Sequence, residues 1–439
     1  RVTIAYILFM VTSVNYNNVT FFINLDIPLI IDYSYVMQID EKLNIKETDI
    51  FIRQGHPDFL DLPWTLPLVE WEKHCSRLEK LPCGLSRHTV VFVNYNGVLY
   101  ALKELPAELA EKEYNLLRQM EEIKLPVVSP VGHVKTVTVD GDMSVLITKY
   151  LEYSLPYYSI FMHSSLERYR QSLLDAITGL LVQLHLSGVY WGDCSLSNAL
   201  FRRDAGALQA YLVDAETSEI HPTISDNLRK HELEIMEENI SGALADLAAI
   251  TKLPPDYPIY ETGEYIHKRY EELWNVINKE QVIRPDEKYR IQEHVRALNA
   301  MGFSVDELEI KTTETGERLK LRAFVSDRSF HSDLLHSLTG IVAEEMQARL
   351  IINEIQGLKV NLSKQNNRST PLSVAAFHWL NEFFTPVLEK LKDLKKDCTQ
   401  AELYCQILEH KWFLSEKEKR DVGHDLSVED YIKKFGQNT

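Results

Sequence analysis

Apolar residues recur along this chain with two periods, and the changes between them mark its elements. In "HTVVFVNYNGVLYALKEL", two β-rich runs flank Asn96-Gly97, a pair that tolerates positive φ, so the pattern predicts an antiparallel hairpin that ends at Lys103. From Pro106 to Glu122 the period lengthens. Leu109, Leu116, Leu117 and Met120 fall at helical spacings among many charges, which predicts a helix. "MSVLITKYLEY" reads as a buried strand. Leu173, Leu174, Ile177, Leu180, Leu181 and Leu184 then mark one apolar face of a long helix that Gly188 ends. "ALFRR", the turn "DAG" and "LQAYLVD" predict a second hairpin.

From His231 onward the pattern is mostly helical. "HELEIMEENISGALADLAAI" and "HSDLLHSLTGIVAEEMQARLIINEIQGL" are the clearest helices, "LEIKTTETGERLKLRAFV" reads as a hairpin between helical blocks, and "LSKQNNRSTP" reads as a polar break. Upstream, residues 37–82 include "GHPDFLDLPWTLPLVEW", rich in Pro and aromatics, and are expected to pack as a lead-in on the domain that follows. The run "VTIAYILFMVTSV" is short for a membrane span of about 20 residues and lacks a small-residue cleavage site, so no stable span is expected. The expectation for residues 1–36 is an extension ahead of a native start at Met37.

With 439 residues and a 45% hydrophobic fraction, two or three domains can each bury a core. A formal charge of -17 argues against a nucleic-acid binder, which needs a basic face, and leaves a nucleotide with its metal open. Five scattered cysteines without a CxxC pair suggest a reducing cytoplasm. "HELEI" lacks the second His of a zinc-protease motif, and His331 and His336 do not share a helix face, so neither receives a metal role.

The chemistry is concentrated in "GVYWGDCSLSNALFRRDAGALQAYLVDAETSE". Asp193 and Asn198 have the spacing D-x-x-x-x-N after an apolar helix, and Asp214 follows a hydrophobic strand. In phosphoryl transfer from ATP, one Asp orients or deprotonates the acceptor hydroxyl, while an Asn and a second Asp hold magnesium, a hard cation that prefers oxygen. A Lys at the end of a strand in the first sheet should contact phosphate, and Lys103 in "LYALKEL" has that place. A Glu on the next helix should pair with it. Glu113 is the choice, with Glu108 and Glu111 on the same predicted helix as alternatives. Backbone groups from Lys149 to Leu151, where "SVLITKY" ends, would read the adenine edge. Each residue alone has an ordinary reading, as strand-edge cation, helix-face charge, turn former or cap. Together, in order and on the expected elements, they favour a nucleotide and metal site.

These residues resemble the protein-kinase-like superfamily over roughly Gly84 to Ile250, and most nearly its lipopolysaccharide core and Kdo kinase branch. "GHPDFLDLPW", "GDCSLSNALFRRDAGALQAYLVDAET" and "HELEIMEENI" look like an uncharacterised bacterial family that joins such a domain to a helical domain of unknown function. The resemblance implies that Lys103 contacts the α/β-phosphates, that Glu113 anchors Lys103, that Asp193 is the catalytic base, and that Asn198 and Asp214 are metal ligands. Three features depart from it. Trp191 stands where the catalytic loop usually has His; "VDAE" puts Glu216 in place of the glycine of Asp-Phe-Gly; and only Gly84 represents the glycine-rich lid, with Ser86, Arg87 and His88 as stand-ins for phosphate contact. Cys194 reads as a small loop residue, Arg202 and Arg203 as flanks of a turn, and Asp246 as a brace of the catalytic loop.

The expected fold is α+β: a bilobal protein-kinase-like domain over 83–250, with a small antiparallel-sheet N-lobe and a helical C-lobe, then a mostly α-helical domain over 251–439. The expected function is an ATP- and Mg2+-dependent phosphotransferase acting on a hydroxyl acceptor, with sugars or glycolipids nominated by the resemblance. The alternative is a pseudokinase or nucleotide-binding scaffold acting through its C-terminal helical domain, which is a candidate surface for a protein partner.

Overall fold

The computed structural model describes residues 12–16, 19–23, 48–81, 88–138, 141–250, 253, 257–278, 281–284, 287, 289–312, 319–325, 328–394 and 397–435. The chain divides into two compact units, residues 1–152 with 212–219, and residues 153–211 with 220–439.

The first unit is built on one sheet. Its strands are β1 (Thr12–Tyr16), β2 (Val19–Ile23), β3 (Thr48–Ile52), β4 (Leu78–Glu79), β5 (Val90–Tyr95), β6 (Val98–Pro106), β7 (Pro130–Thr138) and β8 (Gly141–Lys149). They lie in the order β1-β2-β3-β7-β8-β6-β5-β4. All neighbours are antiparallel except β2 and β3. The expected hairpin forms β5 and β6, with Tyr95 opposite Val98 and positive φ at Asn96 and Gly97. Helix α1 (Leu109–Glu122) starts later than its pattern suggests, because Pro106 still pairs with Met143 and Glu108 takes a left-handed φ of 72°.

The lead-in supplies a core layer to this sheet. Phe59, Leu62, Trp64, Leu68 and Trp71 cluster with Val93, Tyr100, Leu102, Val131, Val145 and Ile147. Both indole N–H groups are satisfied within the lead-in, Trp64 Nε1 by Phe59 O at 2.8 Å and Trp71 Nε1 by Leu66 O at 2.9 Å. Successive strand residues point to opposite faces. Leu102 therefore enters this core, and Lys103 turns to the face that carries α1, which packs on β6, β7 and β8.

The second unit begins with β9 (Ser154–Pro156), α2 (Tyr157–Met162) and α3 (Arg170–Leu186). From Ala176 to His185 α3 is buried all round, as a central helix must be. It ends at Gly188, whose φ of 78° and whose approach to His221 O, where a Cβ would lie at 2.1 Å, admit only glycine. Then come the short β10 (Val189–Tyr190), β11 (Ala199–Asp204), β12 (Ala207–Leu212) and β13 (Glu219–Ile220), followed by α4 (Asp226–Ile250) and α5 (Ile259–Asn278). The second expected hairpin is present, with β11 central in the order β12-β11-β9 and positive φ at Ala205 and Gly206 in its turn.

The C-terminal region carries α6 (Tyr289–Ala300) and a small sheet of β14 (Gln281–Ile283), β15 (Val305–Thr312) and β16 (Leu319–Val325) in the order β14-β16-β15. The stretch expected as one helix from His331 breaks at Gly340, with φ 74°, into α7 (Phe330–Thr339) and α8 (Glu345–Gln365). The polar stretch that follows is helical further than expected, because Leu362 packs on the core and Ser363 Oγ bonds back to Lys359 O at 2.7 Å. The last helices are α9 (Leu372–Trp379), α10 (Thr385–Lys390), α11 (Gln400–Glu418) and α12 (Gly423–Phe435), closing a core that includes Ile351, Ile355, Trp379 and Tyr404. Among the described residues, no helix is long and apolar enough to cross a membrane.

The β11–β12 turn is held by this C-terminal region. Asp204 accepts the amides of Met346 at 3.1 Å and Gln347 at 2.8 Å, in the first turn of α8. Gln347 Nε2 donates to Arg203 O at 2.9 Å, and Ala205 N donates to Glu402 Oε2 at 2.8 Å. Arg202 pairs with Glu344 at 3.0 Å and Arg203 with Asp397 at 2.9 Å, so the two arginines reach the C-terminal region rather than simply flanking a turn. Tyr211 Oη also donates to Glu344, at 2.7 Å.

Burial, with the charge of Glu344, pushes the Asp204 carboxyl up to about 7 from 3.8, against the pull of the two amides and Arg328. Between these values the native state holds a proton that the unfolded chain releases, so this group's contribution to stability is full below the lower value and declines as pH rises through 7. The melting temperature of Asp204→Asn should accordingly fall less than that of the parent between about pH 5 and 8. Parallel melting curves would refute that coupling.

Candidate functional site

In the first unit, β6 and α1 bring together residues far apart in the chain. Lys103 Nζ lies 3.1 Å from Glu113 Oε2 and 2.8 Å from Asp214 Oδ2, with Glu216 Oε2 at 4.0 Å. Glu113 is fully buried and its Oε1 accepts Ala215 N at 3.0 Å, which ties the segment after Asp214 to α1. Of the three glutamates considered, Glu113 meets Lys103; Glu111 pairs with Lys135 at 2.9 Å, and Glu108 precedes the helix. Burial pushes the Glu113 carboxyl up to about 7 against the pull of Lys103. For Lys103, burial favours the neutral amine, but Glu113 and Asp214 outweigh it and raise the pKa, so the side chain is a cation at neutral pH.

Glu216 is neither solvent-facing nor free. Its carboxylate pairs with His88 Nε2 at 3.1 Å, its amide donates to Asp214 Oδ1 at 3.2 Å, and its carbonyl accepts Lys112 Nζ at 3.0 Å. His88 thus has a carboxylate partner, whereas Gly84, Ser86 and Arg87 lie outside the described residues. At the end of β8, Lys149 N donates to Ser129 O and Tyr150 N to Leu99 O, at 2.9 and 3.0 Å. Those two amides are committed to the sheet, and Leu151 follows them half-buried.

In the second unit, Asp193 follows Gly192, whose φ is 83°. Asn198 Nδ2 donates to Asp193 Oδ2 at 3.1 Å and to its backbone carbonyl at 3.0 Å, while Asn239 Nδ2 donates to Asp193 Oδ1 at 2.9 Å. Both carboxylate oxygens are therefore oriented by amide donors. With Nδ2 assigned to these bonds, the carbonyl oxygen of Asn198 is the atom suited to a hard cation.

The loop's support comes from α4 through residues other than the one nominated. Glu232 is fully buried and accepts Gly192 N at 2.6 Å, Trp191 N at 3.2 Å and His185 Nε2 at 2.7 Å. His185 Nδ1 in turn meets Tyr270 Oη on α5 at 2.7 Å. Asp246, proposed as the brace, is exposed further along α4, while Glu232 and Asn239 lie two turns apart and both reach the loop. The signal in the sequence is that Glu232 falls one helical turn before Met236, at the start of the apolar stripe of Leu233, Met236, Ile240 and Leu244. Trp191, in the place of the usual His, is fully buried. Burial also pushes the Cys194 thiol well above its ordinary value, which removes it as a nucleophile.

Residues 96–253 match the lipopolysaccharide kinase (Kdo/WaaP) family, and residues 272–435 match a domain of unknown function, DUF4032. Among solved structures, WaaP in complex with acyl carrier protein aligns at 13% identity over 57% of this chain and 98% of its own, with a TM-score of 0.34. The BubR1 kinase domain aligns at 16% identity over 34% of this chain and 49% of its own, with a TM-score of 0.26. No curated protein matches the sequence. The chain thus carries, in order, a kinase-like segment similar to the lipopolysaccharide kinase (Kdo/WaaP) family and a segment similar to DUF4032.

Proposed function

We propose that this protein is an ATP- and magnesium-dependent phosphotransferase acting on a hydroxyl acceptor, with sugar or glycolipid hydroxyls the acceptor class that the family match favours. The observation that carries the reading is the convergence of Lys103, Glu113 and Asp214, residues with no local reason to meet. Lys103 would contact the α/β-phosphates, and Glu113 would hold its ammonium in place. Asp214 and Asn198 would hold magnesium, and their oxygens suit that ion. Magnesium would neutralise phosphate charge as it develops. Asp193 would orient the acceptor hydroxyl and take its proton, with its own orientation set by Asn198 and Asn239. Among the described residues, Cys75, Cys194 and Cys405 form no disulfide, which suits a reducing cytoplasmic setting.

The test is a thermal-shift titration of the protein and its Asp214→Asn variant with ATP, with and without magnesium. Ligand at about a hundred times its Kd stabilises the folded state by about 2.7 kcal/mol. The expected result is a magnesium-dependent rise in melting temperature that the variant loses. No shift in the parent at millimolar ATP would overturn the phosphotransferase reading and favour a scaffold that works through the C-terminal domain.

A further inference from the structure

The clasp on the β11–β12 turn has a bearing on the reaction. We propose that the DUF4032 domain positions the metal-binding Asn198 by gripping the strand pair that begins beside it. The inference rests on the phosphotransferase reading for its functional meaning, and on the second unit's own geometry for its mechanics.

Asn198 immediately precedes β11, and Asp214 follows β12 by two residues. The strands between them end in one turn, and that turn is where the C-terminal helices attach. Asp204 takes two amides of α8, Gln347 returns a bond to Arg203 O, and Glu402 takes the Ala205 amide. Glu344 holds Arg202 and Tyr211, one on each strand. Asp204, Gln347 and Glu402 are nearly or fully removed from solvent.

An apolar contact would attach the two regions equally well without the desolvation of so many charged and polar groups. A buried polar network instead admits one register, because each donor must meet its acceptor. The grip therefore specifies where β11 begins, and with it the backbone from which the Asn198 side chain reaches Asp193. Arg202, Tyr211 and Asp204 touch neither nucleotide nor acceptor in this scheme and are positioning residues. Family matches to 96–253 and 272–435 fall on opposite sides of the clasp, which gives the second domain a task in the chemistry of the first.

The experiment uses the full chain with Arg202→Ala, Tyr211→Phe and Arg202→Lys. Hydrogen exchange is followed over residues 193–212, alongside the magnesium concentration for half-maximal ATP turnover and ATP affinity without magnesium. In Arg202→Ala, exchange should rise from the turn back through residues 196–199, and the half-maximal magnesium concentration should rise about five- to tenfold, a normal size for coupling between sites. Magnesium-free ATP affinity should stay within about twofold, and Arg202→Lys should recover most of the change. Tyr211→Phe, the milder change, should shift both readouts in the same direction. Faster exchange confined to the turn, or an unchanged magnesium requirement in a loosened variant, would overturn the proposal and leave the clasp as simple glue. If the parent binds no magnesium nucleotide, the phosphotransferase reading fails on that control alone. The exchange arm still decides the mechanical claim, since unaltered protection at 196–199 in Arg202→Ala overturns it.

Discussion

Replacing Asp193 by Asn is expected to lower phosphoryl transfer by about 10³-fold, within the range that a positioned acid or base supplies, while magnesium-ATP binding changes by no more than about threefold. The amide cannot take the acceptor's proton. It also replaces one of two oxygens that now accept Nδ2 donors from Asn198 and Asn239, so a donor would face a donor on one side. Turnover with a saturating acceptor, set beside nucleotide binding measured separately, gives the two numbers. Turnover close to that of the parent would remove Asp193 from the chemistry.

A second large effect is expected at Glu232. Its carboxylate satisfies two loop amides and one imidazole nitrogen, all inside the protein. Glu232→Ala leaves those three donors without that acceptor, and each buried unsatisfied group costs about 1–3 kcal/mol, so a loss on the order of 3–9 kcal/mol is expected. For a unit of this size, that corresponds to a fall in melting temperature of at least about 6 °C. Glu232→Gln keeps one acceptor oxygen and should lose roughly half as much. Transfer should fall along with stability in both variants, because the amides released belong to the two residues before Asp193. A Glu232→Ala protein that melts with the parent would show that the loop is held by something else.

The sequence makes the Lys103 and Glu113 pair readable for a geometric reason. A period of two across β6 and a helical period across α1 determine which face each residue takes, so a strand lysine and a helix glutamate can be matched before either is seen. Asp193 and Asn198 are readable because they are close in sequence and the loop between them is short. The braces are harder to read. Glu232 meets Gly192 across 40 residues and Asn239 meets Asp193 across 46, and no local pattern encodes which loop a buried carboxylate will face. Asp204 meets Gln347 across 143 residues, so Arg202 and Arg203 look like ordinary turn flanks until the C-terminal region that receives them is in place. Gly340 could be read only as a residue inside a long helical run, because a left-handed cap is a property of backbone conformation that composition does not specify.

The aromatic layer beneath the first sheet separates two kinds of boundary that are easily taken for one. The family match opens at residue 96, yet Phe59, Trp64, Leu68 and Trp71 form the floor on which Tyr100, Leu102, Val131 and Ile147 rest. A buried aromatic side chain covers about 150–250 Å², and at about 25 cal/mol per Å² each tryptophan contributes roughly 4–6 kcal/mol as an upper bound. A fragment cut at the edge of the match would remove that floor, turn the strand residues resting on it to water, and forfeit a sum comparable to the whole stability of an ordinary domain. Shared ancestry and independent folding therefore have different left-hand limits in this chain, and the smallest piece able to fold as the first unit has to start well before the residues that identify it.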